Sequence, residues 1–155
     1  MAMGTFTLFD SATLWEADGT GLLVAANAFT GILTTSSQTI TSSVGTLYSD
    51  LTAELTTAGG YTAGGVALTG VSLTRSGATT TFLFTGPSPT WTSSSSIPAW
   101  RWFIVYVNAT INSHVKPLVG FSLGDATNID VPATSSPNTI TITAPTSLFT
   151  ITHSP

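Results

Sequence analysis

The residues of this chain that could do chemistry are few, and most stand apart from one another. Asp125, Asn128 and Asp130 are the exception. Three oxygen-bearing side chains at that spacing could face a calcium ion, but the Asp-x-Asn-x-Asp-Gly pattern of a calcium loop is absent. The other reading is a turn in which short polar side chains bond to nearby backbone. His114 and His153 are the only histidines, and neither lies at ligand spacing from a second metal-binding residue. Their places, after Asn112-Ser113 and beside the C-terminus, suit solvated or interface roles. A Ser-His-Asp triad assembles in space, so its members need not be neighbours in sequence, yet no Gly-x-Ser-x-Gly elbow is present. Two of the seven carboxylates could flank a sugar as acid and base, but nothing singles out a pair. Gly59 and Gly64 have the spacing of a phosphate-binding loop. Gly65, however, stands where that loop needs its lysine, and no strand precedes it. The plainer reading is a tight connection around Tyr61 whose glycines adopt positive φ, so that a bulky residue at Gly64 or Gly65 destabilises the fold. No catalytic residue, metal site or cofactor is expected.

These residues must be positioned by a chain of 155 residues, the length of one domain able to bury a core without disulfides or metals. Only 6% of residues are charged against 42% hydrophobic, but no apolar run is long enough for a membrane helix. With Arg75, Arg101 and Lys116 as the fixed cations and a net charge of −4, there is no basic stripe to neutralise phosphates. Neither nucleic acid nor membrane is expected as a partner. The chain has no cysteine, which leaves the redox compartment open. The first residues show neither a basic nor an apolar signal region, so synthesis in the cytoplasm is the expectation.

Trp100 to Asn108 is apolar on both alternating faces and reads as the buried central strand. Its Trp and Tyr donors should each find a carbonyl or water. Serine and threonine make up about a third of the chain, which favours strands and polar turns over long helices. Short strands are expected at Ala28 to Thr35, Val66 to Arg75 with a bulge at Gly70, Thr79 to Thr85, Val115 to Leu123, Asn128 to Val131, Asn138 to Ala144 and Leu148 to Thr152. Thr39 to Thr41 and Leu22 to Val24 are candidates for shorter ones, and Trp91 to Ser96 for a loop or edge strand. Tyr48, Leu51 and Leu55, three and four apart, predict one short helix near residues 47–55. The fold class is therefore all-β, a single-domain β-sandwich, jelly-roll-like, over residues 28–155. Residues 1–27 form an N-terminal arm with at most a turn of helix, for which Thr13 and Glu16 could supply a capping box. Trp15 reads as a core anchor, with a ligand platform as the alternative.

The run Tyr48-Ser49-Asp50-Leu51-Thr52-Ala53-Glu54-Leu55, followed by Gly59-Gly60-Tyr61-Thr62-Ala63-Gly64-Gly65-Val66-Ala67-Leu68, resembles small virion proteins of tailed bacteriophages. Trp91 in its Pro-x-Trp-Thr context, Trp102 to Tyr106, Pro117-Leu118-Val119-Gly120 and Ile140-Thr141-Ile142 to Phe149 follow in the same order. The likeness covers most of residues 28–152, and its most specific part is Tyr-Thr-x-Gly-Gly-x-x-Leu. Gly86-Pro87-Ser88-Pro89 departs from the acidic residues that many relatives carry there. The resemblance implies a capsid decoration, or cement, protein on the outer surface of the virion. Its implied partner is the major capsid protein, and its implied state is a homo-oligomer, most simply a trimer. Phe6, Leu8, Phe9, Leu14 and Trp15 are more apolar than a free arm leaves in water, which makes them the candidate interface. The rival reading is a carbohydrate-binding or adhesin-like module with Trp91 or Trp15 as its sugar platform.

Overall fold

The computed structural model describes residues 3–24, 26–43, 45–76, 79–84, 88–142 and 149–152, with backbone alone at 71, 73–76, 79–84 and 149–152. The chain begins with β1 (Thr7–Leu8), α1 (Asp10–Ala17), β2 (Phe29–Thr34) and β3 (Val66–Ala67). The hairpin β4 (Val71–Ser76) and β5 (Thr79–Phe84) is followed by β6 (Thr90–Thr92), β7 (Ser96–Ile97) and β8 (Trp102–Val107). β9 (Thr110–Ile111), β10 (His114–Val115) and β11 (Leu118–Leu123) come next. The last are β12 (Thr134–Ser135), β13 (Thr139–Thr141) and β14 (Phe149–Thr152). All pairings among the described residues are antiparallel, and these residues hold one short α-helix, so the fold is all-β. A five-stranded sheet in the order β1-β11-β8-β2-β3 carries the core, and β14-β5-β4 form a three-stranded one. Three two-stranded ribbons complete the described pairings, which do not trace the paired four-stranded sheets of a jelly roll.

β8 lies at the centre of the larger sheet because both of its faces are apolar. Phe103 to Val107 are all buried, with Ile104, Val105 and Val107 fully so. Burial of one such aromatic is worth about 4–6 kcal/mol as an upper bound. β2 pairs with β8 from Phe29↔Val107 to Thr34↔Trp102, which places Ile32 beside Ile104 and Leu33 beside Phe103. On the other side Phe121 lies opposite Ile104, and its ring packs against Trp102 at 5.8 Å and Phe9 at 4.9 Å.

Within residues 1–27, expected as an arm, Gly4 to Phe9 pair with β11 and α1 packs against it. Ladder bonds run from Gly4 N to Leu123 O at 2.9 Å and from Phe9 N to Val119 O at 3.1 Å. The Ser122 hydroxyl adds a bond to Gly4 O at 2.8 Å. The expected turn of helix is a full eight residues, α1, and the Thr13–Glu16 capping box is not formed. The helix starts earlier, at Asp10, because the Phe9 backbone is already anchored to the sheet. Thr13 then falls inside the helix, and the Glu16 carboxylate accepts from Leu23 N at 2.9 Å. Leu22 and Leu23 are buried in turns rather than in an edge strand.

The helix expected near 47–55 is a correction. Only Tyr48–Asp50 is helical, as a 3₁₀ turn, and Leu51 is already extended at φ −83 and ψ 124. Asp50 accepts from the Thr46 and Leu47 amides and closes the turn. Beyond it, outside partners draw the backbone straight: Thr35 N bonds to Ala53 O at 2.9 Å, Leu55 N bonds to Leu33 O at 3.0 Å, and Gln38 Oε1 accepts from the Thr52 and Ala53 amides. The three-four spacing of Tyr48, Leu51 and Leu55 was outcompeted by this ladder.

Val66 to Arg75 is likewise two strands in two sheets, divided at Gly70, whose φ is +67. Thr39 to Thr41 is irregular, and Val131 makes a single bridge with Trp100. Trp91 to Ser96 contributes to β6 and β7, which pair with β13 and β12. Gly77, Gly86, Pro87, Ala144, Leu148 and His153 lie outside the described residues.

Gly120 lets the arm approach. A Cβ there would meet the Phe6 ring at 2.5 Å and Thr7 O at 2.6 Å. Gly120→Ala is expected to lower stability by about 2 kcal/mol and to speed amide exchange at Phe9, while the β2–β8–β11 amides stay protected. Unchanged exchange at Phe9 would show that the arm does not depend on this contact.

Candidate functional site

The densest polar constellation among the described residues forms around Glu54, which the end of β2 positions through a bridge to Thr34. Its Oε1 accepts from the Tyr61 hydroxyl at 2.8 Å and from Gly64 N at 2.7 Å, and its Oε2 accepts from the Tyr48 hydroxyl. The Tyr61 oxygen in turn accepts from Leu33 N at 3.2 Å, inside β2. Tyr106, from β8, donates to Gly64 O at 2.9 Å. Both backbone groups of Gly64 are therefore claimed, one by the carboxylate and one by the central strand.

Local backbone makes this arrangement accessible. Gly64 and Gly65 have φ of +93 and +79, as their place in a tight connection predicts. They are not equivalent, since a Cβ on Gly64 would meet nothing within 4 Å whereas one on Gly65 would lie 2.0 Å from Gly31 O. Tyr48 is held by its amide, which donates to Lys116 O at 2.9 Å. Lys116 itself has a φ of +49 and sets its ammonium 5.1 Å from the Tyr48 ring centroid and 6.0 Å from that of Tyr106. A cation over two rings adds about 0.5–1 kcal/mol at a partly exposed site.

The electrostatics follow from burial. Burial, then the hydrogen bond and charge of Glu54, push the Tyr48 phenol well above its ordinary range. Burial again leads at Tyr61, with the Glu54 charge and bond adding to it and the Leu33 amide opposing. Tyr106 is raised for the same first reason. Three phenols held protonated around one carboxylate make a clasp between the 48–68 segment and the sheet. The hydroxyl protons are directed to Glu54 and to a carbonyl, which is the geometry of a structural node. Tyr106 meets the expectation that its donor finds a carbonyl. The indole nitrogens of Trp100 and Trp102 do not: both, like that of Trp91 outside this strand, are buried with no partner among the described residues.

The other candidates are dispersed. Asp125 closes a turn by accepting from the Thr127 amide at 2.8 Å and hydroxyl at 2.6 Å, and Asn128 follows it with φ +60. Asp130 has other partners, Arg101 Nε at 2.7 Å and the Ser36 hydroxyl. His114 is half-buried and stacked on Trp15 at 4.1 Å. Of the proposed interface residues, Phe9 and Trp15 are buried in their own chain, at 0% and 9% exposure. Phe6 and Leu8 pack against the same core, and Leu14 is 64% exposed. Burial within the chain thus meets the need that motivated a contact with a neighbour, except at Leu14. Sequence reading missed Glu54, Tyr106 and Lys116 as one cluster. The available signal was a lone carboxylate between Leu51 and Leu55 in a chain so poor in charge.

No protein-family model, curated protein or solved structure matches this chain.

The raised phenols carry a pH signature. A folded pKa above the ordinary 10.0 means that folding holds these protons more tightly, so their stabilisation is complete below pH 10 and lost as pH climbs beyond it. Asp50, lowered by the Leu47 and Thr46 amides, has the opposite sign: its contribution is complete above its ordinary 3.8 and lost as pH falls below that. Denaturant titrations are expected to show stability falling steeply above pH 10, with a shallower fall in Tyr48→Phe. An identical alkaline slope in the variant would contradict the assignment.

Proposed function

We propose that this protein is a tailed-phage virion structural protein of the capsid decoration type. It binds the outer surface of the major capsid lattice and works by presenting a stiff surface rather than by catalysis. The observation that carries the reading is where the resemblance-bearing segment lies. Tyr61 and Gly64 bind Glu54, Gly64 also receives Tyr106, Gly65 nestles against Gly31 O, and Leu68 N bonds to Phe29 O at 2.8 Å. The Tyr-Thr-x-Gly-Gly-x-x-Leu run is thus given over to holding the sheet together. A likeness resting on fold-determining residues supports carrying over the architecture, and with it a structural role.

Contact with the capsid is assigned to the face of α1 and the β9–β10 hairpin. Leu14 is 64% and Val115 56% exposed, on the two elements that the Trp15–His114 stack joins. Two such side chains offer little contact on their own, and symmetry multiplies it: a closed homo-oligomer, most simply a trimer, turns weak single contacts into strong avidity. The rival glycan module with Trp91 or Trp15 as platform is disfavoured by their burial, at 2% and 9% exposure.

Purified protein added to undecorated heads of the phage that encodes it is expected to fill symmetry-related outer sites in a cryo-EM map. Leu14→Lys with Val115→Lys should cut occupancy at least tenfold with no change in the melting temperature of the free protein. A protein absent from the head surface would end the decoration reading, and full occupancy by the double variant would end the assignment of the face.

A further inference from the structure

All three tyrosines of the chain gather around Glu54, and they differ in where their protons can go. Tyr48 and Tyr61 donate to the two oxygens of one carboxylate, a group able to take a proton outright. Tyr106 donates to the Gly64 carbonyl, which cannot. They differ also in access. Tyr48 is half-buried, whereas Tyr61 and Tyr106 are each 1% exposed. Tyr61 in turn packs against a fourth ring, that of Trp91, with 5.9 Å between centroids. Trp91, Tyr61 and Tyr48 thus form a series from buried to partly exposed, with one carboxylate shared by the two phenols.

A phenol gives up an electron readily only when its proton leaves too, because the protonated radical is a strong acid. Tyr48 keeps its proton at neutral pH, and Lys116 sets a positive charge over the Tyr48 ring, which opposes any build-up of positive charge there. Proton and electron must therefore depart together, and Glu54 stands within hydrogen-bond reach to receive the proton. We propose that Tyr48 and Glu54 form a site of reversible one-electron oxidation, through which an electron hole on buried Trp91 leaves the core by way of Tyr61. In the outer step an electron of Tyr48 goes to a one-electron oxidant in solution, the phenolic O–H bond breaks, and the proton forms an O–H bond on Glu54. A phenoxyl radical and a neutral carboxylic acid remain, and one electron from a reductant reverses both changes. In the inner step oxidised Trp91 takes an electron from Tyr61, whose proton passes to Glu54. An electron from Tyr48 then restores Tyr61, which recovers the proton from Glu54 as the Tyr48 proton takes its place. The site is independent of the decoration reading and leaves the α1 surface free.

The test mixes the full chain with photogenerated ruthenium(III) tris(bipyridine), an oxidant that takes one electron without bonding to its target. Tyrosyl radical is followed by transient absorption and freeze-quenched EPR, and any such signal arises from this cluster because it holds every tyrosine. In the wild type the rate of tyrosyl formation is expected to be independent of phosphate concentration, since the proton goes to Glu54, whereas N-acetyltyrosinamide speeds up with added buffer. Glu54→Gln, whose amide cannot take the proton, should slow the rate at least tenfold. Tyr48→Phe should do the same, because Tyr61 is covered. Tyr106→Phe alters the same clasp but leaves both phenol–carboxylate bonds in place. Its rate should stay within twofold of the wild type, which separates proton acceptance from a merely structural role. Peptide mapping after oxidation should find Trp91 modified at least fivefold more in Tyr61→Phe. The proposal is overturned if the wild-type rate climbs with buffer as that of N-acetyltyrosinamide does, a result that needs no variant to fold. It is overturned equally if Glu54→Gln or Tyr48→Phe reacts at the wild-type rate, if Tyr106→Phe is slowed as much as Glu54→Gln, or if Tyr61→Phe leaves Trp91 oxidation unchanged.

Discussion

Glu54 is a carboxylate set into the edge of an uncharged core, and three separate stretches of chain depend on it for their positions. Tyr48, Tyr61 and the Gly64 amide all donate to it, and through Gly64 it is coupled to Tyr106 in the central strand. A buried polar network rigidifies a fold when every member is satisfied, and each hydroxyl here has its acceptor. The low charge of the chain makes this one ion more consequential, because few other fixed charges fall near it. Lys116 sets its ammonium over the rings of Tyr48 and Tyr106.

Much of the fold is legible in the residues themselves. Trp100 to Asn108 is apolar on both faces, and a strand so composed has to lie inside a sheet with cover on both sides, where β8 lies. Trp15 reads as a core anchor and is one, because its ring is covered by His114 and the sheet. Legibility fails where long-range partners override local pattern. Tyr48, Leu51 and Leu55 have helical spacing, yet Gln38, Leu33 and Thr35 supply hydrogen bonds from far along the chain, and the segment runs extended beside β2. Val66 to Arg75 keeps strand alternation on both sides of Gly70, but alternation carries no information about which sheet each half joins. The clasp was hidden for the same reason, since Glu54, Gly64, Tyr106 and Lys116 are brought together only by pairing of β8 with β2 and β11.

The arm shows how a local surplus of apolar residues misleads when tertiary cover is not visible. Phe6, Leu8, Phe9 and Trp15 call for burial, and β11 supplies it within the chain through a small residue, Gly120, that lets an extended segment lie close. Among the described residues, the large hydrophobic side chains left exposed are Leu14, Val24, Val115 and Ile129. A domain built in this way is a weakly charged β unit that spends most of its described large apolar side chains on its own core.

The claim that the Glu54 clasp organises this fold is tested most directly by a double-mutant cycle between Glu54→Gln and Tyr61→Phe, read by denaturant unfolding. The account predicts a coupling energy of about 1–3 kcal/mol between the two sites, as expected for a partly buried hydrogen bond to a charged acceptor. Additivity of the two substitutions, with a coupling below about 0.3 kcal/mol, would contradict it.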